Sequence, residues 1–148
     1  MTVLELQSDM TVILRICISF LLGGLIGWER ERHGIFSAGI RTYGAICLGS
    51  CVFGVLSISI VGADPSRIAA QVATGIGFLG GGVIFRQGDY ISGLTTAATL
   101  WATSAIGLAV AFGLYFVSIL TSVLIFLLLY LPRLSWWKKI SRKISSEG

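Results

Sequence analysis

The sequence predicts an all-α fold: a polytopic transmembrane helix bundle of five spans, with the N-terminus outside and the C-terminus in the cytosol. Three observations carry this expectation. There is too little charge for a soluble surface, there are five apolar stretches of near-spanning length, and basic residues divide unequally between the loops. Of 148 residues, 55% are hydrophobic and 12% are charged, with a mean hydropathy of +0.88. A soluble domain carries about 25% charged residues, so half the usual charge is missing. Lipid accommodates such a surface; water does not.

The apolar stretches run from Met10 to Trp28, Tyr43 to Val61, Ile68 to Phe85, Leu94 to Val110, and Leu114 to Leu131. Each is 17 to 19 residues long, close to the ~20 that cross hydrocarbon at about 1.5 Å per residue. The last two form one uncharged run of 38 residues. As a single helix it would reach about 57 Å, nearly twice the hydrocarbon thickness, so a break is expected at Gly113. Charge tests that break. With five spans, Arg30, Arg32, Arg41, Arg86, Arg133, Lys138, Lys139, Arg142 and Lys143 share one side and Arg67 stands alone opposite, nine against one. With four spans the tail changes sides and the split falls to four against six. Basic loops stay in the cytosol, which favours five. The length suits one domain, residues 1–131, followed by a tail, residues 132–148. Within the tail, Trp136, Trp137, Ile140 and Ile144 share a helical face opposite basic residues, the pattern of a helix lying on anionic headgroups. The net charge of +4 therefore points to a lipid surface and not to nucleic acid.

Small residues recur at helical spacing. Ser19, Gly23 and Gly27 form a ridge on the first helix, and Ala73, Gly77 and Gly81 form one on the third. Such ridges let membrane helices approach closely, and the two are expected to pack on each other. Thr95, Thr99, Thr103, Gly107 and Ala111 follow the same i+4 spacing on the fourth helix. Cys17, Cys47 and Cys51 fall inside apolar stretches and read as small packing residues, since zinc needs four ligands and His33 is the sole histidine. The first eleven residues carry Glu5 and Asp9 without Lys or Arg, unlike a secretory n-region.

No enzymatic constellation is present. Gly75–Gly80 matches the dinucleotide pattern G-x-G-x-x-G, but inside an apolar span and without the strand and following acidic residue that the pattern needs. The polar residues that remain sit at helix ends. Arg15, Asp64, Arg67 and Gln71 are expected to form an outer polar cluster, with Asp64 capping the third helix before Pro65. Arg67 and Gln71 share a helix face, and a membrane-buried amide or guanidinium requires a partner. Glu29 and Arg41 on the cytosolic side, with Thr95 and Thr99 at the head of the fourth helix, complete the candidate functional residues.

At these residues the chain resembles the MgtC/SapB family of bacterial inner-membrane proteins. The resemblance is carried by Ile26-Gly27-Trp28-Glu29-Arg30-Glu31 and by Ala38-Gly39-Ile40-Arg41-Thr42. More specific still are the blocks Arg67–Phe85 (RIAAQVATGIGFLGGGVIF) and Gly93–Ala109 (GLTTAATLWATSAIGLA). It covers roughly residues 12 to 115. Gly81 stands where the family usually has Ala, and Ser92 where a basic residue usually precedes Gly-Leu. The resemblance implies a short form without the ACT-like cytosolic C-terminal domain of longer members. It also implies a role in adaptation to low magnesium and, in some bacteria, in survival inside host cells. Family members are often described as magnesium transporters. The resemblance favours regulation through membrane protein partners, with the membrane ATP synthase as a proposed target; a homo-oligomer of this chain is a separate expectation. Mg²⁺ sites normally use carboxylates, and none of the five apolar stretches contains Asp or Glu. Regulation is therefore expected, with transport of Mg²⁺ or another cation as the alternative. A partly hydrated ion on carbonyls near Gly75–Gly82 is the form transport would take.

Overall fold

A computed structural model describes residues 9–32, 38–60, 62, 64–88 and 90–133. Five α-helices follow in order: α1 (Asp9–Arg32), α2 (Ile40–Ser59), α3 (Ser66–Gly82), α4 (Leu94–Ala111) and α5 (Tyr115–Tyr130). A short 3-10 turn, Leu131–Arg133, ends the described chain. The expected basic tail helix after it lies outside the described residues.

Between α3 and α4 a short stretch leaves the helical pattern of an otherwise all-α chain. The third apolar stretch was expected to continue to Phe85, but the helix ends at Gly82 and a β-hairpin follows. Its strands, β1 (Phe85–Gln87) and β2 (Tyr90–Ser92), pair antiparallel with Arg86 opposite Ile91. Three consecutive glycines, Gly80 to Gly82, weaken the helix end, and aromatic and β-branched residues favour the paired strands. Gly93 then turns the chain into α4 with φ of +88°, where an added Cβ would strike the Val83 carbonyl. The break within the 38-residue run falls where expected. Gly113 takes φ of +76°, and the Gly113 and Leu114 amides close the α4 end on the Val110 and Ala109 carbonyls. That is a left-handed helix stop, which glycine adopts without steric cost.

The polarity of the molecule is reversed relative to a soluble domain. Ser19, Ser50, Thr99, Thr103, Ser104, Ser118 and Ser122 are buried, while Phe78 and Phe116 are 84% and 78% exposed. Many interior hydroxyls bond their own helix: Ser118 donates to the Leu114 carbonyl and Ser122 to the Ser118 carbonyl. Helical backbone satisfies its own hydrogen bonds and apolar side chains face outward, as hydrocarbon requires. Three helices, α1, α2 and α4, are long and apolar enough to cross a membrane. The 17 residues of α3 and 16 of α5 reach only about 26 and 24 Å.

α1 and α4 flank α2, and α3 packs on α2 and α4. The first-helix ridge is buried, but against α2. A Cβ on Gly23 would lie 2.6 Å from the Tyr43 carbonyl oxygen, and one on Gly27 would lie 2.6 Å from Ile40 Cα. Gly107 of α4 likewise lies against α2, at the Cys47 carbonyl. Glycine is required at these crossings because two backbones touch. The third-helix ridge behaves differently. At Gly77 and Gly81 an added Cβ would meet nothing within 4 Å, so the expected seating of α3 on α1 is corrected.

Candidate functional site

The short α2–α3 turn builds a polar mouth. Asp64 Oδ1 accepts from the Ser66 backbone N–H at 2.9 Å, and Oδ2 accepts from the Ser66 hydroxyl at 2.8 Å. The Ser66 amide first, then its hydroxyl, holds the Asp64 carboxyl below the usual carboxylate range, with Arg67 adding to the shift. Asp64 is therefore ionised at neutral pH. Ser57 of α2 donates to the Pro65 carbonyl at 2.5 Å, fixing the turn to the helix before it.

Asp64, Arg67 and Gln71 line one cavity of about 370 Å³ together with Ser57, Ile60 and Ile68. Arg67 and Gln71 are exposed and one turn apart. The cavity continues, sharing Ile68 and Gln71, into an apolar groove of about 440 Å³ between α2 and α3. Gly49 and Gly75 line it, with Phe53, Val72 and Ile76. Three of the four expected cluster members are thus brought together. Arg15 is not with them. Its Nη1 donates to the Ala111 carbonyl at 2.8 Å, and its Nε donates to the Tyr115 hydroxyl at 3.3 Å. The turn between α4 and α5 supplies the partner that Asp64 and Gln71 were expected to provide.

The other end of the bundle holds a second polar arrangement. Glu29 and Arg30 are buried, at 3% and 6% exposure. Arg30 Nη2 donates to Thr96 Oγ1 at 2.6 Å, joining the end of α1 to the start of α4. The Tyr43 and Thr99 hydroxyls are 2.6 Å apart, joining α2 to α4. Deeper, Thr103 donates to the Thr99 carbonyl and Ser50 to the Ser104 hydroxyl. Glu31 Oε2 accepts from the Ile40 N–H at 3.0 Å, so a side chain of α1 caps α2. These contacts make a hydroxyl seam through the interior of α2 and α4.

Thr99 and Glu29 are in this interior; Thr95 and Arg41 are exposed. Thr96 takes the place expected for Thr95. Arg30, Tyr43 and Thr96 were missed from the candidate residues. Arg30 had a signal: Ser19, Gly23, Ile26 and Arg30 follow one another at three- and four-residue steps and are all buried. Among the described residues no three His, Cys, Asp or Glu side chains converge as metal ligands.

Long apolar helices with hydroxyls inside and hydrocarbon outside define a helical integral membrane protein. The chain belongs to the MgtC family, whose model matches residues 16–135. It is 44% identical over 126 residues to the Escherichia coli K12 protein named "Putative magnesium transporter YhiD", covering 79% of this chain and 58% of that one. Protein MgtC of Brucella abortus is 49% identical over 98 residues, 65% of this chain and 40% of its own length. Protein MgtC of Salmonella typhimurium LT2 is 39% identical over 136 residues, 92% of this chain and 58% of its own. The chain therefore spans between 40% and 58% of these relatives. No solved structure matches it.

Proposed function

We propose that the chain is a bacterial inner-membrane regulator of magnesium homeostasis that acts by docking another membrane protein on the open face of α3. The magnesium role follows the family and the name carried by YhiD. The observation that carries the docking is the glycine face itself. Gly77 and Gly81 leave open space where a Cβ would stand, and Ala70 and Thr74 continue the same exposed face. In lipid, small residues of this kind are where a second helix approaches. A subunit of the membrane ATP synthase and a second copy of this chain are the candidate partners. Five spans with the N-terminus outside complete the reading, supported by the nine-to-one division of basic residues. The shorter α3 and α5 fit a locally thinned bilayer.

Transport is the second reading, favoured by the hydroxyl seam from Arg30 and Thr96 to Ser50 and Ser104. Two measurements separate the two. Gly77→Leu should abolish both low-magnesium growth support and recovery of a stoichiometric partner from native membranes, at normal protein level. Magnesium flux through proteoliposomes of the purified chain, unaffected by Gly77→Leu, would establish transport instead.

A further inference from the structure

The groove between α2 and α3 has the form of a site for a single lipid. We propose that it binds one phospholipid with a phosphoethanolamine headgroup, seated at Asp64 and Arg67, with an acyl chain lying along the groove. Length is the first argument. From Ile68 to Leu79 the groove follows α3 over twelve residues, whose eleven helical steps rise about 16 Å. A bilayer's hydrocarbon is about 30 Å thick, so the groove spans one leaflet.

Shape is the second. Gly49 and Gly75 line opposite walls, and a Cβ on either would meet nothing within 4 Å. The glycines hollow out a channel on a surface that otherwise carries bulky residues such as Leu56 and Phe78. The third argument is the polarity along it. The headgroup end has Asp64, Arg67 and Ser57; the deep end has Val72, Ile76 and Leu79; Gln71 stands at the boundary, in both cavities. A phospholipid has the same sequence of chemistry: charged headgroup, ester carbonyls, then hydrocarbon.

The charges choose the headgroup. The Arg67 guanidinium and the Gln71 amide both line the mouth and are exposed. Guanidinium binds phosphate strongly and in a fixed geometry. One turn deeper, Gln71 is placed to donate to an ester carbonyl. The ionised Asp64 beside Arg67 supplies the counter-charge for an ammonium group. A headgroup with phosphate but no ammonium would meet Asp64 unfavourably.

Native mass spectrometry of the full chain, released from detergent with added phosphatidylethanolamine or phosphatidylglycerol, tests this. The expected result is one retained phosphatidylethanolamine per chain, preferred over phosphatidylglycerol. Arg67→Ala should lower retention about tenfold, the scale of one charge-assisted hydrogen bond. Gly75→Leu should fill the channel and remove binding, while Asp64→Ala should abolish the preference between headgroups. Gly77→Leu, which does not line the groove, should keep the lipid, so loss of partner docking and loss of lipid are separable. Circular dichroism and melting of each variant show that the fold is retained. Equal retention of both lipids by the wild type, or full retention by Gly75→Leu, overturns the proposal. So does a dimer whose α3 helices occupy the groove, revealed by cysteine cross-linking across Gly75.

Discussion

A guanidinium inside a membrane bundle must aim its donors at carbonyls and hydroxyls, and two arginines of α1 do so at opposite ends of the helix. Arg30 is held by Thr96 at 2.6 Å, and both residues are buried. Thr96→Val keeps the shape and removes the acceptor. It should cost about 1–3 kcal/mol, the scale of a hydrogen bond to a charged group, measured by unfolding in mixed micelles. Thr95→Val, at an exposed position, should change little. Asp64 adds a pH dependence. Its folded-state carboxyl lies below the ordinary value, so its stabilisation is complete above the unfolded-state pKa of about 3.9. It is lost as pH falls through the lower folded-state value. The stability difference between wild type and Asp64→Asn should therefore be constant near neutrality and shrink only in strong acid; a difference largest at low pH would contradict the capping role. Asp64 was legible because an acidic residue before proline opens a helix. Thr95 was misplaced for a geometric reason. A stripe drawn at strict four-residue steps drifts about 40° per step on a 3.6-residue helix, so from Ala111 back to Thr95 it turns out of the buried face.

Helices were legible as elements, and so was the stop at Gly113; which helices touch was not. Small-residue spacing marks a face able to approach another backbone, yet it carries no information about the partner. Gly23 and Gly27 found α2, whereas Gly77 and Gly81 found nothing within the chain. Substitutions should divide the two ridges. Gly23→Ala drives a methyl group at the Tyr43 carbonyl and should cost about 1–3 kcal/mol, as overpacking does. Gly77→Leu should be neutral or stabilise the isolated chain by up to about 1 kcal/mol, since glycine is a poor helix former. Melting in detergent reads both, and equal losses would restore an α1–α3 contact. The hairpin was hidden by its own apolar residues. Phe85, Tyr90 and Ile91 extend the hydrophobic runs on either side, and a three-residue strand is too short to show alternation.

For the whole molecule, composition alone announced a membrane protein, because the missing charge is a property of the entire surface. Orientation rests on summed charge and has its own test. Single cysteines at Ser66 and Gln87, in a chain lacking Cys17, Cys47 and Cys51, should differ in reach. An impermeant maleimide should label position 66 in intact cells and position 87 only after permeabilisation; the reverse pattern would invert the proposed topology. Arg15 adds a matter of timing. Its acceptor, the Ala111 carbonyl, lies 96 residues further along the chain. At about 5–20 residues per second, the ribosome takes roughly 5–20 s to supply it. Throughout that interval a guanidinium in the first helix awaits its carbonyl, which favours a shallow or sideways early position for α1. Of the five described helices, α1 is made before the others and settles last, when the α4–α5 turn arrives. Force measured on the nascent chain should show a late inward pull near that length, and Arg15→Leu should abolish it.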